Sequence, residues 1–201
     1  MIHIKFCGIT REQDARNAVQ IGANAIGLIL SPGFKRSISI AKAKSIAQVI
    51  PPFVSVVGVF VDPTIGFVRK VLDQVPLTLL QFHGNESPEF CAQFKRPYIK
   101  AIVVKPKLSL QRVTAHYASA QALLLDSPGG GSGKAFNWSS ISHGIKKPII
   151  LAGGLTSQNV AQAIAQVKPN AVDVASGIES AVGIKSIIKM EAFYQAVRGI
   201  R

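Results

Sequence analysis

Two side chains in this sequence are placed to move protons. Cys7 closes a short apolar run and is followed by Gly8. A thiol acts as a base only after losing its proton, and a reference pKa of about 8.5 leaves only a few per cent thiolate at neutral pH. A neighbouring cation such as Arg36 would raise that fraction. Asp126 follows four apolar residues and precedes Ser127-Pro128-Gly129. A carboxyl at the end of a buried segment is partly desolvated, so its pKa is expected to rise, which is how a carboxyl becomes a general acid near neutrality. Each residue also has a plainer reading: Cys7 as a small core hydrophobe and Asp126 as a cap on the next loop.

Other residues have the chemistry to hold an anion. Arg36 lies in Ser31-Pro-Gly-Phe-Lys-Arg-Ser37, and a guanidinium grips a carboxylate through two parallel hydrogen bonds. Gly153-Gly154 and Ser176-Gly177 follow consecutive apolar segments. Glycines let backbone N–H groups close around phosphate oxygens, and a helix N-terminus adds a favourable dipole. His83, in Gln81-Phe-His-Gly84, either lines the same site or is a structural histidine.

What positions these residues is a regular alternation of strand-like and helix-like segments. Eight short runs are almost wholly apolar: Ile2–Phe6, Ala25–Leu30, Phe53–Val61, Leu77–Phe82, Tyr98–Val104, Ala122–Leu125, Pro148–Leu151 and Ala171–Ala175. Strands of that kind are buried on both faces, as in a parallel sheet wrapped by helices. Between them, Ala43, Ile46, Ala47 and Ile50 fall at helical spacing, as do Val68, Val71, Leu72 and Val75, while Val160, Ile164 and Val167 share one face. Thr10 with Gln13 fits a capping box, Asp62-Pro63 and Ser87-Pro88 fit caps followed by proline, and Thr156 or Ser157 fits a cap for the helix carrying Val160. Eight βα units at about 25 residues each predict an α/β fold, a (β/α)8 TIM barrel, with residues 1–201 as one domain. An open doubly wound sheet is the rival, but no GxGxxG follows the first strand and no reversal point is evident. In a barrel the chemistry sits at the C-terminal ends of the strands, and phosphate in the loops after strands seven and eight. Cys7, Arg36, His83, Asp126 and both glycine pairs fall at such ends.

Composition bounds the function. Hydrophobic residues make up 48% of the 201 and charged residues 16%, a globular balance. The net charge of +13 raises nucleic acid as a partner, but the basic residues are scattered and no aromatics are interleaved with them. A basic surface that attracts an anionic small molecule is the plainer reading. Two cysteines, Cys7 and Cys91, make no disulfide framework and suggest a reducing compartment. No signal peptide is read at Met1-Ile2-His3-Ile4-Lys5, and the longest apolar run, from Ala25 to Leu30, is too short to span a bilayer. A cytoplasmic protein without membrane partners is expected.

Taken in order, five segments resemble the phosphoribosylanthranilate isomerase family: Lys5-Phe-Cys-Gly-Ile-Thr10, Gln81-Phe-His-Gly84, Leu125-Asp-Ser127 leading to Gly130-Gly-Ser-Gly-Lys-Ala-Phe-Asn-Trp138, Leu151-Ala-Gly-Gly-Leu155, and Asp173-Val-Ala-Ser-Gly-Ile-Glu179. The resemblance implies an Amadori rearrangement of N-(5'-phosphoribosyl)anthranilate in tryptophan biosynthesis, without cofactor or metal. By position it makes Asp126 the general acid, Cys7 the general base, and Arg36 the partner of the anthranilate carboxylate. Gln81 and His83 would touch substrate, and Gly131 and Gly133 would shape the loop after Asp126. Gly153, Gly154, Ser176 and Gly177 would hold the phosphate. The family includes monomers and homodimers. This chain departs from the pattern at Asn137, where Asp is usual, and at Ala175, where Ser is usual. A different phosphosugar barrel, such as indole-glycerol-phosphate synthase or a histidine-pathway isomerase, and a basic nucleic-acid-binding module are the alternative readings. The Cys7, Asp126 and Arg36 set argues against both.

Overall fold

The strands are largely apolar, but successive side chains belong to different clusters, and that alternation builds the fold. Ile4, Phe6, Ile26, Leu28, Leu123, Leu125, Val172 and Val174 share one large core with the helices. Intervening positions form separate clusters: Cys7, Val57 and Val59 with Ala25 and Ile29, and Ile99, Ala101, Ala122, Leu124, Ile150 and Ala152. With period-two geometry, the first set packs outward and the second fills a ring too narrow for two large layers.

A computed structural model describes residues 1–105, 108–128, 138, 141 and 145–200. In chain order the elements are β1 His3–Cys7, α1 Glu12–Ile21, β2 Ala25–Ile29, α2 Ile40–Gln48, β3 Ser55–Phe60, α3 Ile65–Gln74, β4 Leu79–Phe82, α4 Pro88–Ala92, β5 Tyr98–Val103, α5 Leu110–His116, β6 Ala122–Asp126, β7 Ile149–Leu151, α6 Val160–Val167, β8 Ala171–Val174, β9 Glu179–Ala181, β10 Ile184–Lys185 and α7 Ile187–Arg198. Strands β1 to β8 are parallel neighbours in sequence order and close into a barrel, the architecture expected. Closure pairs β1 with β8, setting Lys5 opposite Asp173. On its other side β1 sets Cys7 opposite Gly27. The β9–β10 hairpin is an addition that the strand pattern does not predict. No helix among the described residues is long and apolar enough to cross a membrane.

Element ends differ from expectation in instructive places. β1 runs on to Cys7 and β6 to Asp126, so both reactive residues are the last of their strands. Phe53 is almost fully exposed and lies outside β3, and Leu77 lies outside β4. Ser87 caps α4 by accepting from the Phe90 N–H, with Pro88 at the first turn, as its sequence indicates. The other three caps are corrected. Thr10 donates instead to the Gly183 carbonyl at 2.5 Å, tying the β1 loop to the added hairpin, and α1 starts after Arg11. Asp62 accepts from the Asn85 N–H at 2.6 Å, leaving Thr64 to cap α3. Helix α6 starts after Asn159, whose side chain accepts from the Thr156 N–H and donates to the Gly154 carbonyl. Gly131, Gly133 and Asn137 lie outside the described residues.

Candidate active site

The C-terminal ends of the strands surround a cavity of about 570 Å³. Cys7 from β1 and Asp126 from β6 both line it, together with Gln81 from β4 and His83 just beyond. Arg36 reaches it from the β2–α2 loop, and Gly153, Gly154 and Ser176 from the loops after β7 and β8. Residues far apart in sequence therefore meet at one mouth because each lies at the end of a strand of one ring or in the loop that follows it.

Asp126 is buried and both its oxygens are engaged. Oδ1 accepts from the Ser127 N–H at 2.8 Å, so the carboxyl does brace the next loop. Oδ2 lies 3.1 Å from His83 Nε2, and His83 Nδ1 lies 3.2 Å from the Gln81 side-chain nitrogen. These contacts link Gln81, His83 and Asp126 in a row across the mouth, with the donor and acceptor at each end of the imidazole set by its tautomer. Gln81 thus orients His83, and His83 orients Asp126.

Cys7 is a free thiol. Burial pushes its pKa up, and the charge of Asp173 adds to this; Lys5 and, more weakly, Lys185 oppose it, but the net direction is upward. The cation that acts most on the sulfur is therefore Lys5, not Arg36 as its position suggested. Lys5 is itself buried and donates to Asp173 at 2.9 Å. Burial works to lower the Lys5 pKa, but Asp173 and Cys7 outweigh it, so the ammonium is held above its ordinary value.

Arg36 makes a two-point bond, through Nε and Nη2, with both oxygens of Glu179, each 2.6 Å long. That bond raises the guanidinium pKa against its burial. Lys185 donates to the same carboxylate at 3.0 Å and to the Ala175 carbonyl at 2.9 Å. Burial would raise the Glu179 pKa, but the bonds from Arg36 and the charge of Lys185 win and hold it low. Among the described residues the guanidinium's carboxylate partner is thus Glu179, supplied by the chain itself.

The wall beyond β7 and β8 is built largely from backbone. Gly153 and Gly154 sit at φ 86° and 64°, where side chains with a β carbon are strained. Among the described residues no acceptor bonds to either N–H. A β carbon on Gly153 would lie 2.5 Å from the Ser127 nitrogen, so this loop packs directly on the residue after Asp126. Gly177 is not at the cavity wall; it lets the β8 loop press on the Leu155 carbonyl. Ala175 does line the cavity, so the departure from Ser falls at the wall.

Four charged groups of the site went unassigned in the sequence: Lys5, Asp173, Glu179 and Lys185. The available signal was burial. A charge inside an otherwise apolar strand demands a partner, and Lys5 and Asp173 are such charges on strands that meet at the barrel's closure.

The chain matches the family model for N-(5'phosphoribosyl)anthranilate (PRA) isomerase over residues 4–196. It is 47% identical over 201 residues to the N-(5'-phosphoribosyl)anthranilate isomerase of Nitrosococcus oceani, covering 98% of each chain. It is 48% identical to that of Pseudomonas fluorescens, covering 98% of this chain and 96% of that one. Among solved structures, phosphoribosyl anthranilate isomerase from Thermus thermophilus is similar over 100% of both chains, with 36% identity and a TM-score of 0.92. A phosphoribosyl anthranilate isomerase in complex with reduced 1-(o-carboxyphenylamino)-1-deoxyribulose 5-phosphate is similar over 99% of this chain and 100% of that one, with 34% identity and a TM-score of 0.86. The closed eight-stranded barrel and the agreement along nearly the whole length lead to one conclusion: this chain belongs to the N-(5'-phosphoribosyl)anthranilate isomerase family.

Proposed function

We propose that this chain converts N-(5'-phosphoribosyl)anthranilate to 1-(2-carboxyphenylamino)-1-deoxyribulose 5-phosphate, a step of tryptophan biosynthesis, with Asp126 as general acid and Cys7 as general base. The observation that carries this is the meeting of Cys7 and Asp126, from β1 and β6, in one cavity beside a glycine-lined loop pair. Asp126 gives its proton to the ribose ring oxygen. The C1–O bond breaks, and the anthranilate nitrogen lone pair forms a C1=N iminium. The Cys7 thiolate then takes the C2 proton: S–H forms, C2–H breaks, and the electron pair makes C1=C2 while neutralising the nitrogen. The enol-amine takes a proton at C1 from the Cys7 thiol and gives its C2 hydroxyl proton to the Asp126 carboxylate, which yields the ketone and restores both groups. The raised thiol pKa is tolerable because the cationic imine acidifies C2. Every step is a proton transfer coupled to bond migration, so none calls on a metal or redox cofactor.

The N–H groups of Gly153 and Gly154, with Ser176, hold the phosphate. Arg36 offers its remaining Nη1 edge to the anthranilate carboxylate while Glu179 fixes the guanidinium in place. The excess of basic residues steers the anionic substrate. The protein works in the cytoplasm, a reducing compartment that suits two unpaired cysteines. The test is loss of phosphoribosylanthranilate fluorescence on the purified chain. Cys7→Ala and Asp126→Asn are each expected to lower kcat by roughly 100-fold or more. Near-normal turnover in either variant removes that residue from its role.

A further inference from the structure

We infer that Lys5 is a positioning residue for the reaction: its ammonium is the charge against which the Cys7 sulfur ionises, and Asp173 holds that ammonium in place. The inference rests on the reading of Cys7 as the base. Lys5 precedes Cys7 by two residues in β1, so both side chains face the inside of the barrel. Lys5 is only 3% exposed, and a charge so placed is costly unless something uses or pairs it. One donor of the ammonium goes to Asp173 at 2.9 Å. The Cys7 thiol is its other neighbour inside the ring, and each acts on the ionisation of the other. Gly27, facing Cys7 on β2, supplies the room: from where its β carbon would lie, Cys7 Sγ is 2.6 Å away and Lys5 Nζ 3.0 Å. Sulfur and ammonium therefore rest together on one bare patch of backbone.

The charged groups that act on the sulfur come from every side: Lys5 from β1, Asp173 from β8, Lys185 from β10 and Arg36 from the β2–α2 loop. Lys185 and Arg36 are both bonded to Glu179. Of the three cations Lys5 acts most strongly on the sulfur, and it is the one that shares the patch over Gly27 with it. Asp173 opposes thiolate formation by its own charge, yet it fixes the ammonium and keeps it protonated. Lys5 transfers no proton in the cycle. It stabilises negative sulfur before the C2 proton moves, and faces a neutral thiol afterwards.

The experiment is the pH dependence of iodoacetamide alkylation at Cys7, read by peptide mass, beside the pH profile of kcat. Cys91 is fully buried and its thiol is pushed up to about 12, and peptide mass separates it from Cys7. Losing a close opposite charge moves a pKa by about 1 to 3 units. Lys5→Met is thus expected to raise the alkylation midpoint by at least that lower figure, slow labelling at pH 7 tenfold or more, and lower kcat at pH 7 by a similar factor that recovers as pH rises. Lys5→Arg, which keeps the charge, should restore most of the wild-type midpoint. Since Lys5→Met strands the Asp173 carboxylate, the Lys5→Met/Asp173→Asn pair provides a second arm in which the midpoint still rises. A wild-type midpoint in either folded variant, or a kcat loss equal at all pH values, overturns the inference. Normal turnover by Cys7→Ala would instead sink the base assignment, whatever the midpoint does.

Discussion

Gly27→Ala tests whether turnover depends on where the Cys7 sulfur sits. The added methyl would lie 2.6 Å from Sγ, 3.0 Å from Lys5 Nζ and 3.2 Å from the Cys7 Cα. Ordinary heavy-atom contact begins at about 3.5 Å, so the sulfur is overlapped by roughly 1 Å. The sulfur has few ways to yield. The close Cα opposes a small slide of the strand, so the thiol must swing to another staggered rotamer or the β1–β2 spacing must open. Either movement takes Sγ off its line to the sugar. A misplacement of about 1 Å is worth about 100-fold in rate, and that is the expected fall in kcat. KM should change by less than about fourfold, because the backbone proposed to hold the phosphate follows β7 and β8, away from Gly27. Overpacking at such a site costs about 1 to 3 kcal/mol of stability, so a thermal melt is run in parallel. The assay is substrate fluorescence decay at saturating substrate. A folded Gly27→Ala protein with kcat within threefold of wild type would refute the argument, since it would show that sulfur position does not limit the rate.

Glu179→Gln leaves Arg36 a neutral acceptor and Lys185 an uncompensated charge; loss of about 1.4 kcal/mol of charge-assisted bonding is expected to raise KM about tenfold while kcat falls by less. In wild type the depressed Glu179 pKa contributes stability that is present above the ordinary value of 4.5 and lost as pH falls through the lower folded value. Urea unfolding of the variant should therefore be less pH-dependent in that window, and parallel acid profiles would disprove the linkage. Cys91 behaves with the opposite sign: burial raises its folded pKa from 9.0 to about 12. Its contribution, at most about 4 kcal/mol, is complete below pH 9 and disappears as pH climbs towards 12. Cys91→Ala should flatten that alkaline loss, and an unchanged slope of urea midpoint against pH would count against it.

The barrel was legible in the sequence because its signal is repeated eight times. Any one apolar run could be a helix segment; eight at even spacing, with amphipathic stretches between, leave little else. Cys7, Asp126 and the glycine pairs were legible for a related reason, since each ends or follows one of those runs and strand ends are where a barrel gathers its side chains. What was not legible depends on contacts across the ring. Arg36 could be placed at the mouth, but its bond to Glu179 spans 143 positions and passes through a hairpin without a strong apolar pattern. Two of the misplaced caps fail in the same way: Thr10 and Asp62 have cap-forming chemistry, but Gly183 and Asn85, distant in sequence, compete for them. The third was a local choice, since Asn159 lies only three residues beyond Thr156 and takes its N–H.

The alternation hidden inside the apolar runs links fold and chemistry. Stability here comes chiefly from the outward layer, where Ile4, Phe6, Leu123 and Leu125 join the helices in one core. That leaves the inward positions free to be poor core residues. Lys5 and Asp173 are two of them, and an apolar pair of the same volume would probe no less deeply into the ring while avoiding the desolvation of two charges. Such a pair would also leave the sulfur of Cys7 in a medium that opposes its ionisation, without the neighbouring cation that offsets it most. On the proposed role of Cys7, the polar interior is therefore better understood as the condition for ionising a buried thiol than as a contribution to folding. Glu179 is a second case, since its bonds to Arg36 and Lys185 fix the orientation of one guanidinium edge.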